Sequence, residues 1–399
     1  MRRARQMHCL SLLALAMVLV MMSLAVRAQS SRIAFSSDRE QPPDLDIWLS
    51  NDDGSQQVLF GDKPDDADNR RRPSICTGGQ RIFYDDSSDF PSITQGDLWV
   101  KSTSGGGAAQ EALHCTNPGG APDCFGQRPD PFPWCGVPPL NPPPVPETGG
   151  DCGCRAVACG SPPSVFFPTN SRILFEYMNP PGTRHNILMA TWDASSGSLG
   201  ALCKLTHDGG TAESLRSNFE PAWCGNNHMV FTRTNHEYEE GVLLGPTICT
   251  KAIPTTEPTE IRCHITDDGL DERYPSCGMK NGEWTVAYAM QKTGAPSDVS
   301  RICTINLDQT TFDFIPGTEV CTPEDELTVD WTRPTWSPGG TQIAFASNEN
   351  VGSPGEDDYD IYRIGSDTIS LQTGSPIFAH PSNTDEDDDP DWGPALLGQ

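Results

Sequence analysis

Basic residues, histidines and long apolar runs are all scarce in this chain. Lys and Arg number 27 against 54 Asp and Glu in 399 residues, a formal charge of −27. A surface that acidic repels nucleic acid and anionic lipid, so no nucleic-acid partner is expected. It suits cations, basic partners or plain solubility. One stretch, Leu10 to Val26, is apolar and long enough to span a membrane. Arg2, Arg3 and Arg5 precede it, and Val26-Arg27-Ala28 follows before Gln29. This order reads as a secretory signal peptide over residues 1–28, cleaved after Ala28. An uncleaved signal anchor is the competing reading. No Cys follows the break, which speaks against a lipoprotein anchor. Cleavage would remove four Arg and no acid, leaving 23 basic against 54 acidic residues, a formal −31. No membrane span remains after it, so the expected product is a soluble, monomeric, periplasmic or secreted protein.

Catalytic signatures are missing as well. No Gly-x-Ser-x-Gly elbow occurs. Gly105-Gly-Gly107 lacks the Lys-Ser/Thr of a phosphate loop. The histidines, His8, His114, His185, His207, His228, His236, His264 and His380, are scattered, and linear sequence assembles no Ser-His-Asp set from them. What the chain does have is 37 Gly, 36 Pro and 15 Cys, with 36% hydrophobic residues. That composition means many turns and short strands, or disorder. Cys9 lies in the signal segment, and the other fourteen Cys are an even number in an exported chain, which reads as disulfides. Zinc competes, but Cys152, Cys154 and Cys159 follow no standard zinc spacing.

A unit of roughly fifty residues repeats along the chain, in the range of four-stranded propeller blades. Its clearest copy runs Arg333-Pro-Thr-Trp-Ser-Pro-Gly-Gly-Thr-Gln-Ile-Ala-Phe345, then Asp360-Ile-Tyr362 after a loop. Pro-x-Trp is a short strand, Ser-Pro-Gly-Gly a tight turn, and Ile-Ala-Phe an alternating second strand. The second-strand element recurs six times: Arg32–Phe35, Arg81–Phe83, Arg172–Phe175, Met229–Phe231, Val286–Tyr288 and Ile343–Phe345. A third strand recurs at Asp46, Asp97, Asn186, Thr247, Arg301 and Asp360, and a fourth near Lys204 and His264. First strands are read at Arg72-Pro73, Glu220-Pro221, Tyr274-Pro275, Arg333-Pro334 and Asp389-Pro390, with a degenerate copy over Pro163–Pro168. The last first strand has no second strand after it, and the first second strand has no first strand before it. Joined, they make one blade. The expected fold is therefore all-β: a six-bladed β-propeller of four-stranded blades over 29–399, closed by the C-terminal strand completing the N-terminal blade. An open array of small modules is the alternative.

The combination Pro-x-Trp-Ser-Pro-x-Gly, Ile-Ala-Phe, Asp-Ile-Tyr and Leu-Thr resembles the TolB-type β-propeller repeat, over nearly all of residues 30–396. That repeat also occurs in the propellers of prolyl oligopeptidases. The chain departs from TolB-like proteins in showing no α/β segment between the signal and the first repeat. The resemblance implies fold and a TolB-like binding role, and leaves function open.

Residues 103–160 do not read as blade. This Pro/Gly/Cys-rich stretch, with Cys115, Cys124, Cys135, Cys152, Cys154 and Cys159, is expected to be a disulfide-stapled insert, disordered at its tip over about 137–150. Elsewhere the Cys follow the repeat. Neighbouring antiparallel strands would bring Cys249 to Cys263 and Cys303 to Cys321. Cys76, Cys203, Cys224 and Cys277 are left without partners. Two polar rings are expected at the channel mouth: Asn69, Ser217, Asp271, Asp330 and Glu386 four residues before each Pro, and Arg72, Glu220, Tyr274, Arg333 and Asp389 directly before it. Capping of inter-blade loops is the plainer reading of the acids. A cation or basic-peptide site is the functional one. The runs Asp385–Asp389 and Glu356–Asp360 leave calcium possible without fitting an EF-hand, and no other cofactor is expected. Two functions follow. The first is a non-enzymatic scaffold of the cell envelope or exterior that binds a protein, peptide or ligand. The second is a metal-dependent polysaccharide lyase or hydrolase on the same fold.

Overall fold

A computed structural model describes residues 31–39, 45–60, 69–76, 81–87, 97–103, 109–113, 153–159, 170–179, 184–193, 199–206, 217–225, 227–234, 236–237, 243–253, 260–264, 270–293, 299–323, 329–348, 359–370, 375–377 and 387–393. The signal segment, the Pro-rich tip, Pro163–Pro168 and Glu386 lie outside the described residues.

The described residues form six four-stranded antiparallel sheets and one short hairpin, His236–Glu237 with Leu243–Leu244. From inner to outer strand, sheet I is Asp387–Gly393, Arg32–Ser37, Asp46–Asn51 and Val58–Leu59. Sheet II is Asn69–Ile75, Arg81–Ser87, Asp97–Ser102 and Gln110–Leu113. Sheet III is Gly153–Cys159, Asn170–Asn179, Arg184–Asp193 and Leu199–Lys204. Sheet IV is Asn218–Cys224, His228–Arg233, Thr247–Ala252 and Ile261–Cys263. Sheet V is Glu272–Lys280, Glu283–Gln291, Ser300–Asn306 and Val320–Cys321. Sheet VI is Trp331–Trp336, Gln342–Ser347, Asp360–Gly365 and Ser375–Pro376. Each inner strand neighbours the inner strands of the sheets before and after it, and that of sheet VI neighbours that of sheet I. Small antiparallel sheets packed face to face around their inner strands are a β-propeller. Among the described residues, no helix is long and apolar enough to cross a membrane.

Strand alternation explains the packing. Successive side chains of a strand point to opposite faces. In sheet VI, Ile343 and Phe345 pack with Ala287 of sheet V, while Ala344 and Ala346 meet Ile33 and Phe35 of sheet I. In sheet I, Ile33 and Phe35 face back and Ala34 faces forward to Ile82 and Tyr84 of sheet II. Large residues on one face therefore fill space left by small residues on the next sheet. Phe345 is fully buried, and truncating such a ring costs about 3–5 kcal/mol.

All six inner strands carry a bulge at one place. The register shifts between Arg71 and Ser74, Arg155 and Ala158, Phe219 and Ala222, Arg273 and Ser276, and Thr332 and Thr335, with a matching shift opposite Asp388–Asp391. Five bulges hold an X-Pro pair. Proline has no N–H to give the ladder, and the extra bulge residues lie outside the pairing. The sixth bulge holds Ala156-Val157. This corrects the expected boundaries of the insert. Gln110–Leu113 and Gly153–Cys159, both within 103–160, are sheet strands, and the inner strand of sheet III precedes Pro163. The missing X-Pro hid it.

Cys249 and Cys263 stand opposite each other on adjacent strands, as do Cys303 and Cys321, and both pairs are bonded. Cys224 of sheet IV is bonded to Cys277 of sheet V, linking two inner strands. Cys76 and Cys203 are also disulfide-bonded.

Candidate functional site

The residue before each inner-strand proline takes a left-handed backbone. Arg72, Glu220, Tyr274, Arg333 and Asp389 have φ of 49°, 55°, 53°, 51° and 50°. Few residues with a Cβ adopt this, and each instance costs about 1–2 kcal/mol. The bulge turns these side chains out of the ladder. All five line one cavity of about 160 Å³, together with the five prolines that follow them, Ser74, Ala222, Ser276, Thr335 and Asp391.

The cavity wall is charged and tightly paired. Arg333 Nε lies 3.0 Å from Asp389 Oδ1, another guanidinium nitrogen contacts Asp388, and the guanidinium sits 5.3 Å over the Tyr274 ring. Arg72 reaches Asp85 at 3.5 Å. Burial opposes both arginine charges, but the adjoining carboxylates outweigh it, Asp85 and Asp389 at Arg72 and Asp389 at Arg333, and both pKa values rise. Glu220 accepts from Thr232 Oγ1 at 2.7 Å and from the Tyr274 N–H at 2.9 Å. Its pKa rises because burial outweighs those bonds. Asp391 accepts the Ile75 N–H at 2.6 Å, yet burial pushes it up to about 6. Burial also pushes Asp85 up to about 6, against the pull of Arg72. One oxygen of Asp85 and one of Asp388 are buried without a hydrogen-bond partner.

The second expected ring behaves differently. None of Asn69, Ser217, Asp271 and Asp330 lines the cavity. Asn69 opens the inner strand of sheet II opposite Ser87. The Ser217 N–H donates to Thr234 Oγ1 at 3.3 Å. The Asp271 carboxylate lies 3.4 Å from Arg273. Asp330 accepts the Ser300 N–H at 2.7 Å and the Tyr359 hydroxyl at 2.8 Å, so it joins sheet V to sheet VI. The acidic run at 385–389 is engaged as well. Asp387 takes Arg39 Nε at 3.0 Å, while Asp388 and Asp389 take Arg333. In the run at 356–360, the residues before Tyr359 lie outside the described residues.

Two acids at the site, Asp85 and Asp391, escaped the sequence reading; Asp388 stood in the acidic run marked as a calcium candidate. The first reaches Arg72 through cross-strand register, which linear sequence does not display. Among the described residues, no histidine lines the cavity. His185 pairs with Glu176 at 2.5 Å, His228 stacks on Phe312 at 3.7 Å, and His264 pairs with Glu272 at 2.6 Å.

No protein-family model matches the chain, and no curated protein matches it in sequence. Its fold does recur among solved structures. The Kuenenia stuttgartiensis hydrazine synthase superposes with a TM-score of 0.54 at 12% identity, over 92% of this chain and 47% of that one. This chain therefore spans about half the length of that relative. A putative TolB from Agrobacterium tumefaciens matches 92% of this chain and 99% of its own at 12% identity, with a TM-score of 0.45. Such identities speak to fold alone.

Proposed function

We propose that the chain is a six-bladed propeller closed by its C-terminal strand. It works outside the cytoplasm as a non-enzymatic scaffold, and binds a small cationic group of a protein or peptide partner at the cavity. The observation that carries this reading is the ring of five strained pre-proline residues converging on one cavity. Strain of this kind persists where the surrounding structure holds it, commonly at ligand sites. Charge gives the sign of the ligand. Along the cavity Arg72 and Arg333 stand against Glu220, Asp389 and Asp391, while Asp85 and Asp388 hold the two arginines from behind the lining. An ammonium or guanidinium would add a cation beside the lining carboxylates. Disulfides between sheets and within them favour an oxidising compartment, in keeping with the N-terminal signal segment.

Calorimetry with lysine amide and arginine amide, and lysine amide acetylated at both Nα and Nε as the neutral control, tests the site. One cation should bind, the neutral compound should not, and Asp389→Asn should weaken binding by about tenfold, or ~1.4 kcal/mol. Binding should also weaken as pH falls through 6, where Asp85 and Asp391 take up protons. Equal heats from the charged and neutral amides would sink the cation reading.

A further inference from the structure

The face between sheets IV and V holds a second constellation, remote in character from the cavity. His264, Glu272 and Glu319 each point a ligand atom into one spot, all within 4.8 Å of one another. His264 Nδ1 lies 2.6 Å from Glu272 Oε1. Imidazole nitrogen with two carboxylates is a donor set for a borderline divalent ion such as zinc. Ligand atoms bonded to one tetrahedral zinc at about 2.0–2.1 Å stand about 3.4 Å apart, so closing the site moves the widest pair together by about 1.4 Å at most.

Three chance neighbours would not bring a supporting layer with them, and this group has one. The other oxygen of fully buried Glu272 is held by Thr247 Oγ1 at 2.8 Å and the Ile248 N–H at 3.2 Å. Glu319 Oε1 accepts from the Tyr288 hydroxyl, whose ring is also buried. Hydrogen bonds that fix each carboxylate behind the donor atom are what metal sites use to orient their ligands. The two outer contributors are pinned covalently too. His264 directly follows Cys263, bonded to Cys249, and Glu319 stands two residues before Cys321, bonded to Cys303. Their strands are only three and two residues long, so without those bonds the donors would hang on frayed edges.

We infer that His264, Glu272 and Glu319 form a zinc-type divalent metal site that clamps sheet IV to sheet V, with Tyr288 and Thr247 positioning the carboxylates. Three protein donors leave a fourth position open to water.

The test uses the full oxidised chain, stripped with chelator and titrated with Zn²⁺ alone, read by native mass spectrometry and calorimetry. One ion should bind in the micromolar range or tighter and raise the thermal midpoint. Tyr288→Phe should cost about 10–100-fold in affinity, the usual effect of losing an outer-layer partner. His264→Ala and Glu319→Gln should cost more than that. Glu319 is exposed, so Glu319→Gln leaves the fold intact and keeps the test decisive even if changes at buried Glu272 unfold the chain. The inference fails if the stripped chain takes up no zinc at micromolar concentration. It fails equally if Glu319→Gln and His264→Ala bind zinc as the parent does, since the ion would then sit on surface carboxylates elsewhere.

Discussion

At the scale of single residues, backbone strain in the ring is open to a direct measurement. Tyr274 has φ of 53°. In an ordinary strand, glycine is less stable than alanine by roughly 0.5–1 kcal/mol, because glycine loses more freedom on folding. In a left-handed conformation the order reverses, since only the alanine carries a Cβ into the clash. Tyr274→Gly should therefore be more stable than Tyr274→Ala by about 1 kcal/mol in urea unfolding, although both lose the ring beneath Arg333. The reverse order would mean that the bulge relaxes when its side chain is removed. Titration makes a second residue-scale prediction. Asp391 has its folded pKa raised to about 6, above the value of about 3.9 for an unfolded aspartate. Between those values the folded state binds more protons than the unfolded state, so this group makes the protein less stable as pH rises from about 4 to 6. Asp391→Asn should flatten that segment of the stability–pH curve, followed as the urea midpoint. An unchanged slope would remove Asp391 from the account.

At the scale of strands and sheets, the disulfides differ in the length of chain they close. Cys224–Cys277 spans 53 residues, and Cys249–Cys263 spans 14. Chain-entropy arguments give about 4 kcal/mol for the longer loop and about 3 for the shorter. Replacing Cys224 and Cys277 with serine should lower the unfolding midpoint more than replacing Cys249 and Cys263; equal losses would point to contacts rather than loop closure. The two cross-strand bonds were legible in the sequence, because antiparallel register puts the partners side by side. The inter-sheet bond was not, since it depends on how close neighbouring inner strands pack. The same distinction runs through the rest of the fold. Ile33-Ala-Phe35 and its five relatives announce their strands by alternation. The inner strand Gly153–Cys159 announces nothing, because Ala156-Val157 stands where the others have X-Pro. At the cavity, the proline marked the five left-handed residues that precede it. Asp330, four residues ahead of its proline, looked equivalent in sequence but is occupied by Ser300 and Tyr359.

At the scale of the whole molecule, sheet I alone is assembled from both ends of the described chain. Its inner strand, Asp387–Gly393, pairs with Arg32–Ser37. Arg39 fastens the join: its guanidinium binds both oxygens of Asp387 and lies 5.2 Å over Phe35 and 5.6 Å over Trp48. Both side chains are nearly enclosed, at 9% and 1% exposure. Breaking a buried pair on one side strands the other charge, so Asp387→Ala should cost about 3–5 kcal/mol, read as a fall in the urea midpoint. Removing 387–399 goes further. It uncovers the hydrogen-bonding edge of Arg32–Ser37, removes buried Trp392 from between sheets VI and I, and takes Asp389 and Asp391 out of the cavity. An uncovered flat edge recruits another strand, so the truncated chain should elute as dimers or larger species by light scattering. A peptide covering 385–399 should return it to a monomer, with Trp392 reporting its burial by fluorescence. A truncated chain that stays monomeric, with its midpoint unchanged and no response to the peptide, would show that the propeller stands without its last strand. The ring would then be held by the apolar faces between the sheets, and not by closure.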